Sequence, residues 1–306
     1  MVGAIVNPRS GGWRRLHDSH LIHDRTAAVA RWLDPEQPDR VRVYEMKAAD
    51  DGRRLAQEAI DAGCETLVVV GGDGTINDVI QTLGSEDRVR LGLIPMGTAN
   101  VLARVLDIPR HDPARAAQIA MTGLEQRIDL GHTGERWFAL VAGIGFDGAV
   151  TNAVSRKMKR HIGEWAYVVA AAKVAMRYPR CHITLTMDER APLEFDAYLV
   201  LIANGGQYAG HYRLGPQVSP SDGLLDVFVC THRRPLVRGM ASDAFALVRN
   251  RFHTATGVHH FQARHISLTS DKGMPVELDG DPTGHLPLTV QVSPAALRIR
   301  VPHPTS

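Results

Sequence analysis

The stretch Thr66-Leu-Val-Val-Val-Gly71-Gly72-Asp73-Gly74-Thr75-Ile76-Asn77-Asp78 decides the fold of the N-terminal part of this chain. A β-branched, apolar run leads into a cluster of glycines, and a helical pattern of apolar residues follows. This order predicts a buried strand, a tight turn and a helix that begins at the turn. Glycines allow close approach of the backbone, so amide groups and the helix N-terminus can face an anion. We therefore predict a loop that binds a polyphosphate.

Asp73 stands among these glycines and adds a second requirement. Its carboxylate would repel phosphate unless a divalent cation lies between them, directly or through water, and Mg²⁺ usually plays that part. The loop is not a Walker A motif, because no Gly-Lys-Ser/Thr follows, and it lacks the spacing of dinucleotide-binding folds. A plain strand-to-helix turn capped by Thr75 is the alternative explanation of the same residues.

Two other loops have the same order of strand, glycine and helix. Asn7-Pro8-Arg9-Ser10-Gly11-Gly12 follows a predicted strand over 2–6, and Pro95-Met96-Gly97-Thr98-Ala99-Asn100 ends one over 91–95. Further strands predicted over 41–46 and 66–70, with amphipathic helical patterns between them, complete two βαβ crossovers. We therefore predict a parallel α/β sheet that carries its ligand at the carboxyl ends of the strands.

From about residue 127 the pattern changes to mostly antiparallel β structure, interrupted by helical patterns over 163–178 and 236–249. We predict two domains. The first, over 1–128, is an α/β domain with a parallel sheet, and the second, over 129–306, is mostly antiparallel β structure. The strands predicted in the second domain cover 127–132, 137–142, 182–187, 195–203, 225–230, 261–269, 275–278 and 286–292.

The composition is that of an ordinary folded protein. Of 306 residues, 44% are hydrophobic and 22% are charged, which argues against disorder and fibrous repeats. The 35 basic and 33 acidic residues leave a net charge of +2, too small an excess to favour nucleic acid as a partner. Cys64, Cys181 and Cys230 are widely spaced, which predicts neither a disulfide framework nor a zinc site.

The sequence also predicts a cytoplasmic protein with peripheral membrane contact. It has neither the apolar stretch of a signal peptide at its start nor a run of about 20 apolar residues. The basic run Arg156-Lys157-Met158-Lys159-Arg160-His161 precedes an apolar-faced helical pattern and can bind anionic lipid, with a solvated face as the alternative. His17, His20 and His23 recur every three residues, and we interpret them as a solvated helix face rather than a metal site.

Further motifs follow the glycine loops in a fixed order. They are Gly143-Ile144-Gly145-Phe146-Asp147, Lys159-Arg160 with Gly163 and Tyr167, Asn204-Gly205-Gly206, Ser221-Asp222-Gly223-Leu224-Leu225-Asp226, and Leu278-Asp279-Gly280-Asp281-Pro282. As an ordered set, the motifs resemble the bacterial diacylglycerol kinase and sphingosine kinase type of lipid kinase, whose Gly-Gly-Asp-Gly-Thr loop is shared with NAD kinases. The resemblance covers nearly the whole chain.

The resemblance implies an ATP- and Mg²⁺-dependent kinase. It would have an α/β nucleotide-binding domain over 1–128, an antiparallel β-sandwich lipid domain over 129–306 whose C-terminal end can return to the first domain, and a cleft between them. The γ-phosphate of ATP would pass to a lipid hydroxyl, as in diacylglycerol, a sphingoid base or a phosphatidylglycerol-like lipid. The nucleotide-binding residues that it implies are Asn7, Gly71, Gly72, Asp73, Gly74, Thr75, Ile76, Asn77, Gly97, Thr98, Asn100 and Asp281.

Three aspartates receive catalytic roles from the resemblance. Asp73 corresponds to the carboxylate that acts on magnesium through water, Asp147 to a member of the acidic network around the metal, and Asp279 to the general base. Asp279 also follows the predicted strand 275–278 at a turn, where a carboxylate can project into a cleft; an ordinary Asp-Gly hairpin is the alternative. An aspartate here would position the hydroxyl and take its proton as the bond to phosphorus forms.

A second, structural cation is implied near the turn that contains Asp222. The corresponding ligands are the Asp222 side chain and the carbonyl groups of Ser219 and Leu224, although a β-turn ending in glycine explains the same residues. The chain departs from the family pattern at Val101, where an aspartate is common, and at Met46, where a threonine is expected. A kinase for a soluble acceptor such as NAD, or a non-catalytic nucleotide or lipid sensor, are the alternatives to a lipid kinase.

Overall fold

The structure is a computed structural model that describes residues 1–15, 24–84, 86–154, 165–175, 178–208, 212–231 and 236–304. His17, His20, His23 and the basic run 156–161 lie outside the described residues. The chain divides into two compact units, one formed by Met1–Ile128 with Ala295–Ser306 and the other by Asp129–Pro294.

The first unit is built on a parallel sheet. Its strands are β1 (Val2–Val6), β2 (Val41–Glu45), β3 (Thr66–Gly71) and β4 (Arg90–Pro95), in the order β2-β1-β3-β4. Strands β1, β3 and β4 are mostly apolar, and residues such as Val68 and Val70 are completely buried, as expected of the interior of a parallel sheet covered on both faces. The end of the C-terminal strand of the chain pairs in parallel with β4.

Amphipathic helices cover this sheet. Their bounds are α1 (Arg25–Leu33), α2 (Asp51–Asp61), α3 (Asp73–Leu83), α4 (Val101–Val105) and α5 (Pro113–Thr122). The predicted apolar stripes are confirmed, because Leu55, Ala56 and Ala59 on α2 and Ile76, Val79, Ile80 and Leu83 on α3 are buried. Short 3-10 turns occur at Gly11–Arg15 and Pro38–Arg40.

The second unit is an antiparallel sandwich. Its core lies between a six-stranded sheet in the order β14-β13-β10-β7-β16-β17 and the sheet formed by β9, β8, β15 and the start of β18. The strands are β5 (Leu124–His132), β6 (Trp137–Phe138), β7 (Val141–Gly145), β8 (Cys181–Met187), β9 (Leu193–Ala197), β10 (Leu199–Ala203), β11 (Gln207–Tyr208), β12 (Tyr212–Arg213), β13 (Leu225–Cys230), β14 (Val258–Ala263), β15 (His265–Ser270), β16 (Pro275–Leu278), β17 (Asp281–His285) and β18 (Leu288–Val301).

The other face of the six-stranded sheet packs against helices. Helices α6 (Phe146–Ala153), α7 (Trp165–Ala175) and α8 (Leu236–Val248), with the 3-10 turn Phe252–Thr254, belong to this unit. A second apolar cluster on this face includes Phe228, Cys230 and Met240. Tyr198 donates a hydrogen bond to the buried Asp243 on α8, which fixes that helix to the sheet.

The predicted fold class is confirmed, with a parallel α/β sheet in the first unit and an antiparallel sandwich in the second. Three predicted strands, over 137–142, 195–203 and 261–269, are wrong as single strands, because each is two strands. In the last two the chain turns at Tyr198 and Arg264 and passes from one sheet to the other. The residues on both sides of each turn are apolar, so the sequence does not indicate where the chain changes sheets.

The three cysteines, Cys64, Cys181 and Cys230, are free and buried. In the part of the chain that the structure describes, no helix is both long enough and apolar enough to cross a membrane.

Candidate functional site

The three glycine-containing loops of the first unit meet at one edge of the sheet. Gly72 and Gly97 are in such close backbone contact that a Cβ atom on Gly97 would lie 2.5 Å from the Cα atom of Gly72. A Cβ atom on Gly12 would lie 2.7 Å from the carbonyl oxygen of Met96, to which the Gly12 amide donates a hydrogen bond. The loops after β1, β3 and β4 therefore form one packed cluster, which we call the loop cluster.

A small, open cavity lies at the loops after β1 and β3. Asn7 Nδ2 donates a hydrogen bond to Thr75 Oγ1 at 2.9 Å, which ties the loop after β1 to the start of α3. The cavity has a volume of about 260 Å³, and Asn7, Ser10, Gly72, Gly74 and Thr75 are among the residues that line it. Gly74 is exposed, and nothing lies within 4 Å of the place where its Cβ atom would be. The backbone here is open to an approaching ligand.

The Asp73 carboxylate lies at the N-terminus of α4. Its Oδ1 atom accepts hydrogen bonds from the amides of Val101 at 2.7 Å and Leu102 at 3.3 Å. Burial raises the pKa of the Asp73 carboxyl, while these amides act in the opposite direction. Asp73 therefore connects the loop after β3 to the helix after β4, and the α4 amides are the donors that a helix start leaves without intrahelical partners.

Other residues predicted to bind nucleotide have different surroundings. Ile76 and Asn77 are buried on the inner face of α3, and Asn77 accepts from Gln81. Asn100, which has a φ of 49°, accepts from the Gly97 amide and donates to the Gly97 carbonyl, so its side chain closes its own loop. Thr98 is exposed. The side chains of Ile76, Asn77 and Asn100 shape the loop cluster from within.

In the second unit, Asp279 occupies a constrained turn between β16 and β17. Its φ is 49°, in the left-handed region. The carboxylate accepts hydrogen bonds from three consecutive backbone amides, those of Ala139 at 2.7 Å and of Leu140 and Val141 at 2.9 Å. These bonds fix the Asp279 carboxylate against the start of β7 and make Asp279 more than an ordinary hairpin residue.

Asp147 is buried against a second carboxyl group, that of Glu277. The two side chains share a hydrogen bond, and Tyr208 donates to Asp147 Oδ1 at 2.6 Å. Burial raises the pKa of Glu277 well above its usual value, and the neighbouring Asp147 raises it further. Glu277 also accepts from the amide of Gly280, next to Asp279. The pair therefore supports the turn that carries Asp279.

Glu277 is a site residue that sequence reasoning missed. Its strand partner is Gly143, where a Cβ atom would lie 2.1 Å from Asp147 Oδ2 and 2.4 Å from Glu277 Oε1. Only a glycine leaves room for the two carboxyl groups. The sequence does contain a signal, which is the charged residue inside the short apolar strand Pro-Val-Glu-Leu. Burial of an acid without a partner is costly, so a glutamate at such a position indicates that a partner lies nearby.

The turn predicted to hold a structural cation contains several carboxylates. Gly223 donates to Asp129 Oδ2 at 2.7 Å, and Leu224 donates to Asp222 Oδ1 at 3.0 Å. Burial raises the pKa of Asp222, and the charges of Asp226 and Asp129 raise it further. The Oδ2 atom of the buried Asp226 has no hydrogen-bond partner. Ser219 lies at the same turn, with its hydroxyl 3.4 Å from that of Ser221.

Among the described residues, no group of three or more His, Cys, Asp or Glu side chains is arranged to hold a metal ion. The Asp222 turn therefore fits a cation only if backbone carbonyls supply ligands beside the carboxylate, as predicted for Ser219 and Leu224. Asp281, predicted to bind nucleotide, lies 3.5 Å from Arg136 in a partly exposed ion pair.

The family models match the two parts of the chain in order. The diacylglycerol kinase catalytic domain matches residues 1–133, and the YegS C-terminal NAD kinase beta sandwich-like domain matches residues 140–301. A parallel sheet with a glycine loop cluster, followed by a sandwich with a fixed carboxylate, thus defines a two-part phosphotransferase. The chain belongs to the diacylglycerol kinase and YegS family, and it is a lipid kinase that transfers the γ-phosphate of ATP to a lipid hydroxyl.

Individual proteins show the same similarity over most of their length. The chain is 30% identical to a diacylglycerol kinase of Mycobacterium tuberculosis over 98% of this chain and 95% of that protein. It is 31% identical to a "Probable lipid kinase YegS-like" of Chromohalobacter salexigens over 82% and 81%, respectively. A crystal structure of a diacylglycerol kinase from Bacillus anthracis str. Sterne has the same fold, with a TM-score of 0.70, 20% identity and coverage of 98% and 96%.

The contact between Gly72 and Gly97 predicts opposite effects of two glycine substitutions. Gly97→Ala places a methyl group against the backbone of Gly72, so we expect the free energy of unfolding to fall by about 1–3 kcal/mol. Gly74→Ala adds a methyl group in open space within α3 and should leave that energy unchanged or raise it by up to about 1 kcal/mol. Denaturant unfolding of both variants tests this. Equal stabilities would show that the loops after β3 and β4 are not in backbone contact.

The buried Glu277 carboxyl predicts a pH dependence of stability. A carboxyl whose pKa is raised by folding stabilises the protein below its unfolded pKa, and this stabilisation is lost as pH rises through the folded pKa. Glu277→Gln removes the titration, so the stability of the variant relative to the native chain should increase as the pH rises above about 5, where the carboxyl ionises in the unfolded chain. Denaturant unfolding with a chelator present measures it, with the exposed Glu194→Gln as control. Parallel pH profiles for the native chain and Glu277→Gln would contradict the raised pKa.

Proposed function

We propose that the loop cluster binds the phosphates of Mg²⁺-ATP and that Asp279 accepts the proton of the lipid hydroxyl. The observation that carries the first part is the open cavity of about 260 Å³ lined by Asn7, Gly72, Gly74 and Thr75. Backbone amides, a helix N-terminus and small residues are the features that hold phosphate oxygens in glycine loops. The loop after β1 contributes Asn7 to the same cavity, which supports a role for that loop in nucleotide binding.

The surroundings of Asp73 fit a magnesium ion held next to it, directly or through water. Its carboxylate is buried at a cost that raises its pKa, and a nearby cation would offset that cost. The ion, when bound, supplies positive charge that neutralises the phosphate oxygens. Val101, where relatives often carry an aspartate, contributes only its amide to Asp73. We infer that Asp73 is the main carboxylate of the first unit for this ion.

Asp279 is suited to align a hydroxyl group rather than to remove its proton in advance. Three amide hydrogen bonds hold the carboxylate in one orientation. An ionised carboxylate is an acceptor only, so it can orient the lipid O–H and take the proton as the bond to phosphorus forms. Asp147 and Glu277 support this turn through the Gly280 amide, and Asp281 follows it on β17.

A membrane-embedded acceptor is part of the proposal. Membership of the lipid kinase family supports a lipid rather than NAD as the acceptor. We propose that the chain acts as a cytoplasmic protein at the membrane surface, where the lipid hydroxyl is presented. The basic run 156–161, outside the described residues, is a predicted contributor to that association. The lipid should be phosphorylated faster in anionic vesicles than in neutral ones, and added salt should reduce this difference in rate.

The general-base role of Asp279 predicts a specific kinetic defect in Asp279→Asn. We expect kcat for transfer of radiolabelled phosphate from ATP to extracted lipids to fall by about 10²-fold or more, with KM for ATP nearly unchanged. The amide nitrogen of asparagine cannot accept from Ala139, so a stability loss of about 1–3 kcal/mol accompanies it.

Asp188 provides a matched control for this experiment. It also has a φ of 50°, and its carboxylate accepts the amides of Arg264 at 2.9 Å and His265 at 3.0 Å. Asp188→Ala removes the oxygen that accepts both amides, so it should lose a comparable stability of about 1–3 kcal/mol while keeping kcat. A defect of Asp279→Asn that appears only in KM for ATP would assign Asp279 to nucleotide binding. Phosphorylation of NAD faster than of every lipid would overturn the acceptor class.

The structural cation at the Asp222 turn predicts a stabilising effect of Mg²⁺ alone. An ion that binds only the folded chain raises its melting temperature, and the unpartnered oxygen of Asp226 supports such a site. We expect Mg²⁺ without nucleotide to raise the melting temperature of the native chain and of Asp188→Ala, but not that of Asp222→Ala. Identical melting curves with magnesium and with a chelator would reduce the turn to a plain β-turn.

A further inference from the structure

We propose that the outer face of α8 is a docking surface for an anionic lipid bilayer. This α8 face consists of Phe245 and Val248 on the helix, Arg238 near its start, and Arg249 and Arg251 after its end. The proposal rests on the membrane-embedded acceptor proposed above, and it assigns the contact to a part of the molecule that the sequence motifs did not indicate.

The apolar part of the α8 face is more exposed than the other large apolar side chains that the structure describes in this unit. Phe245 is 60% exposed and Val248 is 58% exposed, and their spacing of three residues places them on one side of the helix. The opposite side holds α8 on the sheet, where Met240 is buried in the apolar cluster and Asp243 accepts from Tyr198. Phe245 and Val248 are therefore not needed to attach the helix.

The charges of the α8 face select the partner. Arg238, Arg249 and Arg251 are exposed, and Arg213 is close to them because its amide donates to the side chain of Asn250. The helix has one acidic residue, the buried Asp243. The face thus combines an apolar stripe with positive charge and no exposed carboxylate on the helix, which is the pattern of helices that lie in the interface of anionic bilayers.

The geometry of one pair fits this environment. The guanidinium carbon of Arg249 lies 4.8 Å from the centre of the Phe245 ring. At a bilayer surface the ring can enter the acyl boundary while the guanidinium group stays at the level of the lipid phosphates. In water the same arrangement leaves most of the ring exposed.

A second helix presents similar residues on the same side of the six-stranded sheet. Helix α7 packs against the apolar cluster through Ala175, as α8 does through Met240. Val169 on α7 is 40% exposed, and Lys173, one turn further on, is exposed as well. A second copy of the chain is a poorer occupant, because a two-fold contact through the α8 face would bring the arginines of both copies together.

Vesicle co-sedimentation of the full chain tests the α8 face. The vesicles consist of phosphatidylcholine alone or of phosphatidylcholine mixed with phosphatidylglycerol, and no nucleotide is added. The variants are the pairs Phe245→Gln with Val248→Gln, and Arg249→Gln with Arg251→Gln. The control is Leu193→Gln, at another exposed apolar side chain of the unit. Melting temperatures show whether each variant is folded.

We expect the apolar pair of substitutions to weaken binding to both vesicles, by at least about tenfold. Each arginine substitution should weaken binding to the anionic vesicles about fivefold, with little effect on neutral vesicles. Leu193→Gln should bind as the native chain does. Native-like binding by both variant pairs would overturn the proposal, and so would a native chain that fails to sediment with anionic vesicles.

Two further results keep this proposal separate from the proposed function. Phosphoryl transfer to a lipid dispersed in detergent does not require docking, so transfer in detergent without vesicle binding would refute the α8 face and leave the kinase assignment intact. Sedimentation velocity in the absence of lipid tests the other occupant. A native dimer that both variant pairs convert to a monomer would assign the face to a second copy of the chain and overturn membrane docking.

Discussion

Carboxylates held by backbone amides are the constraint on which the site depends. Asp73 accepts the amides of Val101 and Leu102, and Asp279 accepts those of Ala139, Leu140 and Val141. In both cases the amides belong to a segment that is distant in sequence. The hydrogen bonds therefore fix the orientation of the carboxylate and also connect two parts of its unit. A buried negative charge is tolerated because several donors surround it. The same bonds therefore serve the fold and the chemistry, and neither aspartate can be changed without affecting both.

Space for these carboxylates comes from glycine. Gly97 allows the loop of Asp73 to contact the loop after β4, and Gly143 leaves room for Asp147 and Glu277. The requirement at these two positions is volume, since neither glycine has a positive φ. The glycines in the motifs that carry the family resemblance are thus required for close packing. Where a carboxyl group or a neighbouring backbone occupies the place of a Cβ atom, no other residue fits.

The sequence predicted local structure well where periodicity determines it. The strand over 2–6 was predicted with the bounds that it has, and the helix after the glycine loop buries the apolar stripe that its spacing indicated. The corners at Tyr198 and Arg264 could not be predicted, because the residues on both sides are apolar in either sheet. The partnership of Asp147 with Glu277 was equally hidden, since it depends on the register that places Glu277 opposite Gly143. The sequence thus predicted the loops that form the site. It did not predict the groups that form hydrogen bonds with each carboxylate.

Tyr198 connects several of these features within the second unit. Its carbonyl oxygen accepts the amide of Phe146, where α6 and Asp147 begin, and its hydroxyl donates to Asp243 on α8. The residue at the corner between β9 and β10 thus contacts both the helix that carries a site carboxylate and the helix proposed to contact lipid. Burial of the Tyr198 and Asp243 side chains makes their hydrogen bond costly to leave unsatisfied. Tyr198 is therefore a buried residue that is hydrogen-bonded both to the start of α6 and to α8.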